Sequence, residues 1–148
     1  MCLCDFHIKL YNKRMILSGK TIERYIQEKK ITIDPEPIIK ESSIKIHLSD
    51  QFAQVDEGFE TRESYIIEPK EFILGRSKEK VTLPSDIAGL YDGYTHLSRK
   101  GIMTHLSSMF VDPGTDGYIT FEIFNASDRE VMLEAGMRVG HLIFLEVK

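Results

Sequence analysis

The chain has 148 residues, close to the size of one domain, and 42% of them are hydrophobic, enough for a single core. Its 19 lysines and arginines are outweighed by 23 aspartates and glutamates, a formal net charge of -4 that argues against a surface made for nucleic acid or another polyanion. No apolar stretch approaches the ~18 residues of a membrane span, and Met1-Cys2-Leu3-Cys4-Asp5 lacks the basic-then-apolar order of a secretion signal, so a cytoplasmic protein with no membrane partner is expected.

Cys2 and Cys4 are too close for an unstrained disulfide and, even with His7, lack a fourth ligand at a recognised zinc spacing, so reduced thiols are expected. Ser18 precedes a pattern that places Ile22, Tyr25 and Ile26 on one helical face, with Lys29 and Lys30 closing the last turn. One short amphipathic helix is predicted there. Asp34-Pro35-Glu36-Pro37 forbids a continuing helix, and short alternating runs follow.

Ile44, Ile46 and Leu48 alternate with Lys45 and His47, Tyr65 to Ile67 and Phe72 to Leu74 flank Pro69, and Tyr118 to Phe124 alternates over a full strand. Gly136 marks a turn before Val139 to Val147, whose nearly continuous apolar run suits a strand covered on both faces or buried against another subunit. Many short strands with little helix imply a barrel or sandwich. Met103, Met109, Met132 and Met137 read as core filler.

Polar groups and glycines concentrate between Gly89 and Asn125. Leu97 to Lys100 is long enough for one helical turn stopped by Gly101, which puts Thr95 near a small set of free amides. Asp112-Pro113-Gly114 is a turn presenting a carboxylate. Glu122 falls mid-strand, on one face with Tyr118, Thr120 and Phe124, while Ile119, Phe121 and Ile123 point the other way.

This order of motifs resembles the family of dCTP deaminases and dUTPases, the zinc-independent deaminase branch most closely. The resemblance is carried by Met15-Ile16-Leu17-Ser18, by Pro69-Lys70-Glu71-Phe72-Ile73-Leu74, by Val111-Asp112-Pro113-Gly114 through Glu122, and by Gly136-Met137-Arg138-Val139. It implies a mainly β subunit, a distorted barrel or jelly roll, in a homotrimer with nucleotide sites between subunits. Residues 1–14 then form an N-terminal extension to a domain of residues 15–148, unless Met15 is the true initiator.

Hydrolytic removal of the cytosine 4-amino group needs a group that accepts a proton from water and later gives one to nitrogen. A zinc deaminase would need His or Cys followed by a Cys-x-x-Cys pair, which is absent from the sequence, so no zinc is expected. The resemblance implies that Glu122 is the general acid/base, that Arg99 helps it, and that the Thr95 hydroxyl and the Ser108 carbonyl place the water. It matches Asp112 to the aspartate that activates water against the α-phosphate in dUTPases and combined enzymes, and His105 to a family histidine. Arg99 also reads as an ion pair at a subunit interface, Asp112 as a shaper of its turn, and His105 as a hydrogen-bonded structural residue.

The departures cluster at the phosphate end. The family's Arg-Ser-Ser run appears as Tyr94-Thr95-His96, its phosphate-touching glutamine as His141, and the aspartate associated with hydrated magnesium as Lys45. Two readings follow: Lys45, His96 and His141 supply charge that arginine and magnesium usually provide, giving a weaker metal dependence in which magnesium enters only as a possible companion of the triphosphate, or Lys45 and His141 are surface residues on drifted strands. Lys148 follows the last core strand directly, where family enzymes continue into a tail that folds over nucleotide, so a lower turnover is expected unless residues 1–14 or a neighbouring subunit take over. The expected function is deamination of a deoxycytidine nucleotide, dCTP to dUTP and ammonia, with two alternatives: a dUTPase or combined deaminase and diphosphatase, and a nucleotide-binding trimer that converts nothing.

Overall fold

The computed structural model describes residues 16–107 and 109–148. The readings made for Cys2, Cys4, His7, the 1–14 extension, Met15 and Ser108 lie outside the described residues. Ser18 caps helix α1 (Gly19–Gln27) by accepting the Thr21 N–H at 3.3 Å, and the face carrying Ile22, Tyr25 and Ile26 packs on the core as its spacing predicts. Strand β1 (Thr32–Asp34) leads to β2 (Ile44–Ala53), where buried Ile44, Ile46 and Leu48 alternate with half-buried Lys45 and His47.

After β3 (Glu60–Thr61), the runs around Pro69 become β4 (Ser64–Ile67) and β5 (Phe72–Thr82). β5 is much longer than the run Phe72 to Leu74, because its later inward positions are small or polar. Ser77 and Glu79 are buried there: the Ser77 hydroxyl donates to the Glu79 carbonyl at 2.7 Å, and the Glu79 carboxylate lies 2.6 Å from His47 Nδ1 and accepts the His47 N–H at 2.9 Å. Hydrogen bonding replaces apolar packing at those positions, so alternation of hydrophobicity ends before the strand does.

The polar segment folds as β6 (Ile87–Gly93), the short helix α2 (Thr95–Ser98), β7 (Ile102–Met103), β8 (Phe110–Val111) and β9 (Asp116–Asn125). The helical turn starts two residues before the predicted Leu97, and Gly101 follows it with φ +83°, a left-handed backbone suited to glycine. β10 (Val131–Glu134) and the central strand β11 (Arg138–Glu146) complete the chain, separated by the turn at Gly136. The three methionines Met103, Met109 and Met132 correct the core reading: each is exposed, Met103 and Met132 because they occupy the outward phase of β7 and β10, and Met137 alone of the four is partly buried against the core.

Among the described residues the main sheet runs β7-β9-β5-β2-β11-β6-β8, with β1 and β3 pairing at its side, while β10 pairs with β4. Three strands lie between β6 and β9 in that order, yet the rings of Tyr91 and Phe121 are 5.0 Å apart. The sheet therefore curls back on itself as a half-barrel around Ile44, Ile46, Leu48, Phe121, Val139 and Phe144. This is the mainly β, barrel-like class expected from the strand pattern. No helix among the described residues is long and apolar enough to cross a membrane.

Candidate active site

The alternation of β9 holds in three dimensions: Phe121 and Ile123 are buried, and Tyr118, Thr120, Glu122 and Phe124 share the other face. Glu122 is half-buried, and its Oε2 accepts the N–H groups of Leu106 at 3.0 Å and Ser107 at 3.3 Å. Consecutive amides aimed at one oxygen fix the carboxylate plane and leave Oε1 without a protein donor among the described residues.

The segment that supplies those amides is anchored on β6. Thr104 is buried with its hydroxyl 2.8 Å from the Tyr91 hydroxyl, which also lies 3.0 Å from the Val139 carbonyl. The Tyr91 N–H donates to the Met109 carbonyl at 2.8 Å, and the His105 ring meets the Tyr91 ring edge-on at 5.7 Å. Burial pushes the Tyr91 phenol above its ordinary value, with the Thr104 hydrogen bond opposing the shift. A β-carbon at Gly140 would collide with the Tyr91 ring and the Asp92 carbonyl, so glycine leaves the room in which that ring lies.

Next to Tyr91, Asp92 faces outward. Lys45 of β2, His141 of β11 and Asp92 of β6 are directly opposite one another across three neighbouring strands. His141 Nε2 is 3.9 Å from one Asp92 oxygen and His105 Nε2 is 3.8 Å from the other, so two imidazoles flank one carboxylate. Tyr94 caps α2 beneath the Arg138 guanidinium, 4.5 Å from its ring centre, and His96 is exposed with its ring 6.1 Å from that of Tyr94.

The fold thus brings His141 and His105 together around Asp92, with Lys45 opposite His141 on the next strand, and ties His105 to Glu122 through the following amides. It keeps other candidates apart. Thr95 is exposed at the start of α2 and Arg99 at its C-terminal cap; Arg99 lines a cavity of about 470 Å³ with Lys100, Ser127, Arg129, Glu130 and Met137, which does not include Glu122. No ion pair or hydrogen bond joins Arg99 to Glu122 among the described residues. Asp112 is exposed in the turn between β8 and β9, where its carbonyl accepts from the Thr115 N–H and hydroxyl. Because Val111 pairs with Gly89, Asp112 sits at the start of β6, roughly 13 Å along the strand from Asp92 at ~3.3 Å per residue.

Tyr91, Asp92, Thr104, Arg138 and the Leu106 and Ser107 amides were not legible as site residues. The two glycines and the aspartate in Ile87–Gly93 mask its strand pattern, and backbone donors carry no side-chain signature. No three histidine, cysteine, aspartate or glutamate side chains converge as a metal cage would require among the described residues.

Residues 16–147 match the model of a family described as dCTP deaminase-like. A protein of Beutenbergia cavernae named "dCTP deaminase, dUMP-forming" is 30% identical over 154 residues, covering 90% of this chain and 80% of its own length. A protein of the same name from Methanobrevibacter smithii is 35% identical over 157 residues, covering 87% of this chain and 79% of its own. Among solved structures, the 2'-deoxycytidine 5'-triphosphate deaminase of Agrobacterium tumefaciens superposes with a TM-score of 0.74 at 16% identity, over 90% of this chain and 48% of that one. The dUTPase of Staphylococcus bacteriophage 80alpha gives a TM-score of 0.61 at 14% identity, over 81% of this chain and 92% of that one. At such identities the superpositions establish likeness of fold alone.

Proposed function

The chain belongs to the dCTP deaminase-like family, and from that premise we propose that it deaminates dCTP without zinc and carries the product on to dUMP. The named product of its relatives supports dUMP in place of the dUTP expected from the resemblance. The balance is dCTP with two waters giving dUMP, ammonia and diphosphate. The observation that carries the reading is Glu122, held at Oε2 by two loop amides on the strand that the resemblance picks out, with Oε1 open.

In this reading a water attacks C4 of the cytosine, Glu122 takes the water's proton, and the same carboxyl delivers a proton to the departing amino group. The Thr95 hydroxyl and the Ser108 carbonyl place the water, and Arg99 orients Glu122 and opposes developing charge. Asp112 accepts the proton of a second water as it attacks the α-phosphorus and diphosphate leaves. Since Arg99 and Thr95 lie apart from Glu122 in one chain, the complete site is formed between copies in a homotrimer, one copy supplying the β9 carboxylate and another the α2 groups.

Lys45 stands where the resemblance puts the magnesium-associated aspartate, and an ammonium group does not ligate a hard cation. Asp92, the carboxylate of that row, is already flanked by His105 and His141. This donor set does not fit magnesium held by the protein, so Lys45, His96, His141 and Tyr94 meet the phosphates, and any magnesium arrives with the triphosphate. Binding that collapses on chelation would remove this part of the reading.

A second reading, a nucleotide-binding trimer without turnover, is favoured by Tyr94-Thr95-His96 in place of Arg-Ser-Ser. Incubation of the protein with dCTP and separation of the products decides between them. Ammonia, diphosphate and dUMP are expected; dUTP as the end product removes the role of Asp112, and saturable binding of unchanged dCTP replaces the enzyme with the binder.

A further inference from the structure

Tyr91 touches both halves of the arrangement that holds Glu122. Its ring packs 5.0 Å from Phe121, the residue before Glu122 on β9, and its hydroxyl bonds to Thr104, two residues before the first amide donor. His105, between Thr104 and that donor, leans edge-on against the same ring. Acceptor strand and donor loop are thus registered against one buried side chain, itself fixed by the Val139 carbonyl and seated over Gly140.

We propose that Tyr91, acting through the Thr104 hydroxyl, is a positioning residue that sets the Leu106 and Ser107 amides on Glu122 Oε2 and so aims Oε1. The geometry requires this coupling. The loop crosses from β7 to β8 with exposed Leu106 and Ser107, and while the Tyr91 N–H holds its far end at the Met109 carbonyl, the end next to the two amides is held by Thr104 and His105. A buried phenol bonded to a buried hydroxyl is a stiff link, because breaking it leaves unsatisfied polar atoms away from water. The catalytic consequence rests on the role of Glu122 proposed above; the positioning itself does not.

The test compares Tyr91→Phe and Thr104→Val, which each delete one hydroxyl and keep nearly all the volume, with Thr104→Ser, which restores it. Amide proton resonances of Leu106 and Ser107 report the contact directly, with Glu122→Gln marking the signals that depend on the carboxylate. In Tyr91→Phe and Thr104→Val those resonances are expected to move upfield while turnover of dCTP falls about tenfold and KM stays within about twofold, the pattern of a misaimed group. Thr104→Ser is expected to resemble the wild type in both.

Amides that stay in place in both hydroxyl deletions overturn the proposal, even if Glu122→Gln abolishes deamination and the function stands. Amides that move while Glu122→Gln leaves deamination intact uphold the positioning and remove Glu122 from the chemistry. If one deletion fails to fold, the other reads the same link from its opposite end.

Discussion

Two neighbouring regions of this molecule treat their polar groups in opposite ways. Around Glu122 the fold satisfies itself: Tyr91, Thr104 and Val139 share buried hydrogen bonds, and loop amides close on one carboxylate oxygen. Along α2 and the β8–β9 turn, Thr95, His96, Arg99 and the Asp112 carboxylate face outward, and the imidazoles of His105 and His141 stand off from Asp92 at 3.8 and 3.9 Å. The first region is preorganised within one chain; the second is open to partners from outside it, as the proposed site between copies requires. The proposed function gives this division a reason, since proton transfer tolerates little misplacement whereas phosphate binding by point charges tolerates more.

The sharpest way to break this comparison is Glu122→Gln, which keeps shape and volume. Deamination is expected to fall by about a thousandfold while the thermal midpoint barely moves; a preserved rate assigns the proton transfers elsewhere. Next in size is Gly140→Ala, whose new β-carbon meets Tyr91. It is expected to cost roughly 1–3 kcal/mol in denaturant melts and to slow turnover; no loss of stability would mean that Tyr91 has room to move and is no anchor.

A smaller effect is expected for Lys45→Ala combined with His141→Ala. KM for dCTP should rise about tenfold with stability within about 0.5 kcal/mol, and an equal loss of kcat would show that this row is as rigidly coupled to the chemistry as Glu122. The smallest effect is a pH slope. The folded Tyr91 phenol keeps its proton above the ordinary value of 10.0, so above that pH the unfolded chain holds fewer protons than the folded one and stability declines as pH rises. Below it the contribution is constant. Tyr91→Phe should remove this part of the alkaline decline, and a wild-type slope in the variant would deny that the phenol is buried.

Much of the fold was legible because local rules and tertiary packing agree. Ser18 capped its helix, alternation in Ile44 to Leu48 and Tyr118 to Phe124 marked inward faces, and Gly136 ended β10 where its backbone turns. Reading failed where polar groups took inward positions, as Ser77 and Glu79 do in β5, and where apolar methionines took outward ones, as Met103 and Met132 do. Hydrophobic pattern reports solvent exposure only when hydrogen bonding does not substitute for it.

The sequence alone determined the class of fold, the kinship and the strand position of Glu122, since those depend on side-chain periodicity and on motif order. Tertiary structure decided what holds Glu122 and what stands away from it. Curling of the sheet brings Tyr91 of β6 against Phe121 of β9, places backbone amides on a carboxylate and sends Arg99 toward a different cavity. Those outcomes follow from contacts between residues distant in the chain and from donors common to every residue, so no local pattern encodes them.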